Sequence, residues 1–188
     1  MNSEDVNHDF LPQRGNYRGL ISYQKAECIY DITFYFANKF LKKGDRTIDQ
    51  MVQAARSGKQ NIAEGSAASS TSRETEIKLT NVAKASFQEL LTDYEDYLRV
   101  RQLIRWPEDD PRLEKTREIG RRHNDSAYYR EAITSRSDET IANIAIVLIK
   151  QEDYLLYRLI ERLKRDFLEN GGIREEMSRA RREHRKGQ

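Results

Sequence analysis

The sequence has little cysteine, proline or histidine. Of its 188 residues, one is cysteine, three are proline and three are histidine. With Cys28 alone no disulfide can form within the chain, which is typical of a reducing compartment. No window approaches the roughly 18 uninterrupted apolar residues of a membrane span, and the N-terminus lacks the basic and apolar regions of a signal peptide. We therefore expect a soluble, cytoplasmic protein without membrane contact.

The shortage of histidine argues against metal chemistry. Di-iron carboxylate bundles need a Glu-x-x-His pair on two helices, but none of His8, His123 and His184 follows a glutamate by three residues. A Cys/His zinc site lacks ligands as well. Cys28 has no histidine near it in the sequence, so we interpret it as a buried apolar residue. We expect no metal, no cofactor and no catalytic residue, and only a nucleophile and base that meet in space would make the protein an enzyme.

Apolar residues recur at helical spacing in four long segments. All three prolines lie outside residues 17–104, which favours long helices there. Strand-like alternation is missing throughout. The predicted helices span about residues 17–44, 47–65, 72–104 and 138–170.

Local residue types mark the ends of these helices. Gly44 is the predicted C-terminal cap of the first helix, and Thr47 is the predicted N-cap of the second. Gly65 is predicted to end that helix, and Thr71 or Ser72 is the predicted N-cap of the third, where Thr71 to Glu74 match a capping box. Ser137 is the predicted N-cap of the fourth helix.

Four amphipathic helices with two short connections and one long one predict an all-α protein, a four-helix bundle. The long connection, about residues 105–136, is a polar insertion between the third and fourth helices with only a weak helical pattern. We predict a flexible lead-in at residues 1–16, the bundle at 17–170, and a short, basic helical suffix at 171–188.

The net charge of +2 is too small to predict a polyanionic partner, but its distribution is informative. The suffix carries six basic and three acidic residues. Such a segment suits nucleic acid or an acidic surface, and Arg179, Arg181 and Arg182 are our candidate ligands for a nucleic acid. A solvated tail is the alternative.

A second set of candidate nucleic-acid ligands lies on the second helix and at the start of the third. Arg56, Lys59 and Gln60 belong to the polar side of the second helix. Repeated around a ring of subunits, they would concentrate positive charge and amide donors against a nucleic-acid backbone. Arg73 would assist an anion at the N-terminus of the third helix. An ordinary solvated face is the alternative for all four residues.

The second helix also has a face of small residues, which Ala54, Ala55 and Gly58 form and Asn61 continues. A glycine inside a helix costs about 0.5–1 kcal/mol relative to alanine, so something must offset it. Close approach of a neighbouring helix is the usual reason. We predict these four residues to be packing residues, against a helix of the same chain or against another subunit.

Two stretches of the sequence resemble a known family. These are DQMVQAARSGKQNIAEGSAASSTSRE, residues 49–74, and LTNVAKASFQELLTDYE, residues 79–95. They are similar to the four-helix-bundle proteins first noticed within intervening sequences of large-subunit ribosomal RNA genes. Related members are accessory proteins of diversity-generating retroelements. The matching residues are Gln53, Ala55, Ser57, Asn61, Ile62, Ala63, Glu64 and Gly65 in the first stretch, and Ala83, Ser86, Glu89 and Leu90 in the second.

The resemblance implies a ring-shaped homo-oligomer, a pentamer, without catalytic activity. Retroelement members bind nucleic acid and a reverse transcriptase, so RNA or DNA and a reverse transcriptase or other protein are predicted partners besides the chain itself. The long insertion and the suffix resemble a suffix-bearing branch of the family. The predicted function is that of a non-enzymatic bundle that binds nucleic acid or scaffolds a nucleoprotein complex, and a scaffold that binds only protein is the alternative.

Overall fold

The structure of this chain is a computed structural model that describes residues 16–186, so residues 1–15 of the predicted lead-in lie outside it. No strand occurs within the described residues, which confirms the all-α prediction. None of the described helices is long and apolar enough to cross a membrane. A 3₁₀ turn at Tyr17–Gly19 is followed by α1 (Ile21–Phe40), α2 (Arg46–Ala68), α3 (Arg73–Val100), α4 (Pro111–Arg122), α5 (Ser126–Ile133), α6 (Asp138–Asn170) and α7 (Ile173–Lys186).

The long helices pack into a helical bundle. Helix α2 packs on α1 and α3, and α6 packs on the same two helices. Aromatic rings fill the space between them: the ring centroid of Phe36 lies 5.0 Å from that of Tyr94 and 4.7 Å from that of Tyr97. Tyr94 is fully buried, and its hydroxyl hydrogen-bonds the hydroxyl of Thr33 at 3.1 Å. The core therefore lies along the shared axis of α1, α2, α3 and α6.

Helix α6 is covered on every side near its start. Residues 141–149 are all buried, which is the pattern of a helix enclosed by its neighbours. Helices α1 and α3 cover one side, and α4 packs on α6 as well. Asn143 holds the chain between α3 and α4 against this helix: its amide oxygen accepts from the backbone N–H of Trp106 (2.9 Å), and its amide nitrogen donates to the carbonyl of Ile104 (2.9 Å).

The insertion is more regular than its weak pattern predicted, since it contains both α4 and α5. Each of these helices begins at an aspartate whose carboxylate accepts from a backbone N–H two residues later: Asp110 from Arg112 (2.8 Å) and Asp125 from Ala127 (3.0 Å). Pro111 follows Asp110 in the first turn, where a missing N–H costs nothing. Helix α4 packs on α6 and α5 on α1, so the insertion lies against the bundle.

Several predicted ends of the first two helices were wrong. Residues Tyr17–Gly19 form a 3₁₀ turn, and α1 begins only at Ile21. The N-cap of α2 is Asp45, whose carboxylate accepts from the N–H of Thr47 at 2.9 Å. Gly65 does not end α2, which continues to Ala68. Helix α1 likewise ends at Phe40, before the predicted cap at Gly44.

The capping of the later helices was predicted better. Of the two predicted N-caps of α3, Ser72 is confirmed, because its hydroxyl accepts from the N–H of Thr75 at 3.1 Å, whereas the box from Thr71 does not form. The N-cap at Ser137 is confirmed: its hydroxyl accepts from the N–H of Thr140 at 3.3 Å. Helix α6 ends at Gly171, whose φ of 77° favours glycine.

Candidate nucleic-acid interface

The small face of α2 lies against α3 of the same chain. A Cβ added to Gly58 would lie 2.5 Å from Cζ of the fully buried Phe87 ring, so no side chain fits there. Ala54 is 4% exposed and Ala55 is fully buried. These three of the four predicted packing residues thus belong to the interior of the protomer.

Asn61, the fourth predicted packing residue, belongs to a polar cluster between α2 and α3. Its amide nitrogen donates to the carbonyl of Ser57 at 2.8 Å and to its hydroxyl at 3.2 Å. The Ser57 hydroxyl shares a hydrogen bond of 2.9 Å with that of Ser86 on α3. The polar residues of the sequence motif therefore join two helices where the small residues bring them close.

The three predicted nucleic-acid ligands of α2 differ in their exposure and in their contacts with other side chains. Arg56 is exposed and forms no hydrogen bond or ion pair with any described residue. The ammonium of Lys59 lies 4.3 Å from the ring centroid of Tyr30 on α1, a cation–π contact. Gln60 is half-buried. Of the three predicted ligands on this helix, Arg56 is the most available to a phosphate.

Arg73 connects the start of α3 with the suffix. Its guanidinium donates to the carbonyl of Gly171 at 2.8 Å and forms an ion pair with Glu176 at 2.5 Å. The side chain retains 21% exposure. Because these two contacts occupy the guanidinium, Arg73 positions the suffix in this structure.

The suffix is a helix whose basic residues are mostly exposed. Arg179 donates to the carbonyl of Asn170 at 3.1 Å, close to the turn into α7. Arg181 and Arg182 are exposed, and neither forms an ion pair within residues 16–186. Only the first residue of this helix, Ile173, is buried. The last two turns of α7 therefore present guanidinium groups to solvent.

The arginines of α4, in contrast, are neutralised by acidic neighbours. Each of the four forms an ion pair of 3.0 Å or less with a carboxylate of residues 108–118. The pairs are Arg112–Asp110 (2.7 Å), Arg117–Glu108 (2.6 Å), Arg121–Glu114 (3.0 Å) and Arg122–Glu118 (2.5 Å). Arg56 and the end of α7 thus differ from α4 in presenting exposed arginines without an ion pair.

These two basic regions are separate. Arg56 lies twelve residues before the end of α2 at Ala68, which is roughly 18 Å along a helix axis at 1.5 Å per residue. Arg73 and the suffix it contacts come after that end. Arg56 therefore lies well away from the point at which Arg73 contacts the suffix.

The described residues offer little for catalysis. Burial raises the pKa of the Cys28 thiol to about 12, so the group stays protonated at neutral pH and is a poor nucleophile. The ring of His123 stacks on Tyr128 with centroids 4.2 Å apart. Within residues 16–186, no group of three or more histidine, cysteine or acidic residues is arranged to hold a metal ion.

Two buried charged residues were not anticipated. Lys25 on α1 is 2% exposed and donates to the carbonyl of Gly120, while Glu152 on α6 is fully buried and neither of its carboxylate oxygens has a hydrogen-bond partner among the described residues. Burial lowers the pKa of Lys25 and raises that of Glu152 well above its usual value. The sequence did contain a signal, since Glu152 falls on the apolar stripe between Leu148 and Leu156.

Comparison of the chain with family models, with curated proteins and with solved structures finds no match. The family resemblance, and the partners and assembly that it implies, therefore remain predictions.

Proposed function

We propose that this chain is a non-enzymatic protein that assembles into a homo-oligomeric ring and binds the phosphate backbone of RNA or DNA, alone or within a nucleoprotein complex. The observation that supports this most strongly is the uneven pairing of charge. Arg56, Arg181 and Arg182 are exposed without ion pairs, whereas the arginines of α4 are neutralised. Exposed arginines without partners are the groups that can release counterions from a phosphate backbone.

Within this proposal the architecture is a four-helix bundle made by α1, α2, α3 and α6. Its support is that each of the four packs on two others of the set. Helices α4 and α5 are then an insertion that lies on the outside of α6 and α1, and α7 is the suffix. The Arg73 contacts with Gly171 and Glu176 would set the direction in which the suffix leaves the bundle.

A protein scaffold without nucleic-acid binding is the second candidate. Several large apolar side chains are exposed on the described protomer, among them Leu168 (82%), Val100 (67%) and Ile104 (58%). Exposed apolar groups of this size favour contact with another protein surface. The scaffold and the nucleic-acid binder both require subunit contacts, so salt-sensitive binding to nucleic acid is what separates them.

The test is binding of the purified protein to a labelled structured RNA and to a DNA of matched sequence at several salt concentrations. We expect the logarithm of the binding constant to fall linearly with the logarithm of the salt concentration, with a slope of about −0.7 to −0.9 for each phosphate neutralised. Absence of binding to both ligands even at low salt would overturn the proposal and leave the scaffold.

Charge reversal locates the contacts. We expect Arg181→Glu with Arg182→Glu to weaken binding and make the salt slope shallower, and Arg56→Glu to do so independently. The matched control is Arg121→Glu with Arg122→Glu, a second pair of adjacent exposed arginines that are already ion-paired. It changes the net charge by the same amount, so an equal loss of binding in the control would contradict the assignment to α7.

A further inference from the structure

A pocket of about 550 Å³ lies between the start of α1, the segment that connects α3 to α4, α4 itself and the middle of α6. Small-molecule sites in proteins commonly measure roughly 300–1,000 Å³. Neither α2 nor α7 contributes to its walls, so it is separate from the basic residues proposed to contact nucleic acid. The pocket therefore needs an explanation of its own.

Much of the wall is apolar. Leu113 of α4 faces Ile146 and Val147 of α6 across the pocket, and all three are buried. Ile21 and Tyr154 also line it but are 54% and 57% exposed, so they mark its open side. Such a wall suits the hydrocarbon part of a ligand, because apolar area is removed from water when it is covered.

Hydrogen-bonding groups without full partners are buried in the same wall. Lys25 is 2% exposed and lines the pocket, and its ammonium has one hydrogen-bond acceptor, the carbonyl of Gly120, for three N–H groups. Trp106 is 6% exposed, and its indole N–H has no partner among the described residues. Buried donors without acceptors are costly, so a ligand that brings an acceptor would be favoured at these two groups. The amide oxygens of Asn124 and Gln151, which also line the pocket without partners among the described residues, would favour a donor such as a hydroxyl of the ligand.

Glu152 is the buried carboxyl whose charge acts on Lys25. Glu152 is fully buried and makes no ion pair with Lys25 within 4.0 Å. Burial raises the pKa of Glu152 and so favours its uncharged form. No carboxylate of the described residues lies within 4.0 Å of the Lys25 ammonium.

The rim of the pocket is positive as well. Arg117 and Arg121 are paired with carboxylates of the same segment. Lys150, an exposed residue of α6 at the pocket, forms no hydrogen bond or ion pair with any described residue. The one acidic residue of the lining, Glu108, is already bound by Arg117. An approaching anion therefore meets a rim that attracts it.

We propose that this pocket binds a small organic carboxylate with an apolar body, of the fatty-acid or aromatic-acid class. The carboxylate lies at Lys25, where it supplies the acceptor and the counter-charge that the buried ammonium lacks. The apolar body covers Ile146 and Val147 and leaves towards Ile21. Lys150 attracts the anion at the entrance without contacting it deeply.

The experiment uses octanoate, 1-octanol and octylammonium, which share one chain and differ in the charge of the head group. Trp106 is the only tryptophan of the chain and lines the pocket, so its fluorescence reports occupancy of this site. We expect octanoate to change the emission saturably and to bind about tenfold or more tightly than octanol. Octylammonium should bind more weakly than either.

Two variants test the position of the carboxylate. Lys25→Met keeps an unbranched side chain only one atom shorter and removes the charge, so octanoate should lose its advantage over octanol. Lys150→Glu should weaken octanoate binding and spare octanol, while Lys115→Glu, an exposed lysine of α4 outside the pocket, should leave both unchanged. Circular dichroism shows whether Lys25→Met folds. If it does not fold, the comparison of Lys150→Glu with Lys115→Glu tests whether the pocket attracts an anion.

The proposal is overturned by either of two results. One is an unchanged Trp106 emission with every ligand up to millimolar concentrations. The other is equal affinity for the three head groups in the unmodified protein, which would mean that the apolar wall adsorbs hydrocarbon without recognising an anion.

Discussion

Gly58 is kept free of a side chain by the Phe87 ring. All three nearest atoms to a Cβ added at this position belong to that ring, at 2.5, 2.6 and 2.9 Å, and the ring is fully buried. A buried ring has no empty space into which to move. A bulky residue at Gly58 therefore disturbs the core of the protomer, and its effect would say nothing direct about contacts between subunits.

We expect Gly58→Ala to lower the free energy of unfolding by about 1–3 kcal/mol, because overpacking a core costs this much and outweighs the better helix propensity of alanine. Urea denaturation followed by circular dichroism measures the change. Gly19→Ala is the control, since its Cβ would meet its nearest neighbour, the side-chain amide nitrogen of Asn16, at an ordinary contact distance of 3.6 Å. Equal losses in the two variants would show that Phe87 is not the cause.

Glu152 is the residue at which the pH dependence of stability should be clearest. Burial raises its pKa well above the usual 4.5, and the positive charge of Lys25 opposes that shift without cancelling it. The folded chain thus holds this proton more tightly than the unfolded chain does. The resulting stability is complete below about pH 4.5 and is lost as the pH rises through the folded pKa.

Glu152→Gln should therefore become more stable than the unmodified protein as the pH rises above 4.5, because a neutral amide carries no cost of burying a charge. The measurement is the free energy of unfolding of both proteins at a series of pH values. Glu89→Gln, on the exposed face of α3, is the control for removing one acidic residue. A variant that is less stable at neutral pH would mean that Glu152 and Lys25 act as a buried ion pair.

At the scale of the element, the four long helices could be predicted, but α4 and α5 of the insertion could not. Helix α4 buries only Leu113 and Gly120, so it has no apolar stripe for a periodicity to reveal. The Asp110-Pro111 pair nevertheless indicates where this helix begins. Gly65 shows the opposite limitation: a glycine that resembles a terminator lies inside α2 because the first turn of α3 approaches it closely. That approach is a long-range fact that no local pattern contains.

Helix α7 illustrates how one side chain can position an element. Its contact with the bundle depends on Arg73, through the carbonyl of Gly171 and the carboxylate of Glu176, and on the buried Ile173. The rest of the helix is mostly exposed. Loss of Arg73 should therefore free the suffix and leave the bundle intact.

We expect Arg73→Ala to accelerate tryptic cleavage within α7 while the free energy of unfolding changes by no more than about 1 kcal/mol, because solvent still reaches this partly buried ion pair and α7 covers little of the core. Mass spectrometry of the early fragments identifies the cleaved bonds. Lys78→Ala, an exposed basic residue further along α3, is the control and should leave the rate unchanged. If Arg73→Ala is cleaved no faster than this control, Ile173 alone holds the helix in place.

At the scale of the whole molecule, the sequence indicates candidate basic residues but does not indicate which of them form ion pairs within the fold. Arg73 meets Glu176 across 103 positions of the chain, so its engagement could not be read from local spacing. The pocket is a similar case, since its walls come from residues as distant as Ile21 and Leu155. The sequence predicts the features that depend on periodicity and composition, namely the long helices and the candidate basic residues. It does not predict the contacts between side chains that are distant in the chain.

Assembly is the prediction that belongs to the whole molecule. If the chain forms the proposed ring, subunit contacts stabilise the folded state by mass action, and its melting temperature should rise with protein concentration. Sedimentation velocity across a dilution series should then show a species several times heavier than the 22.1 kDa chain. The exposed side chains of Leu168, Val100 and Ile104 give such contacts apolar surface to cover. A single species of monomer mass with a constant melting temperature would exclude the ring, and any phosphate-binding surface would then have to be complete within one protomer, on Arg56 and the suffix alone.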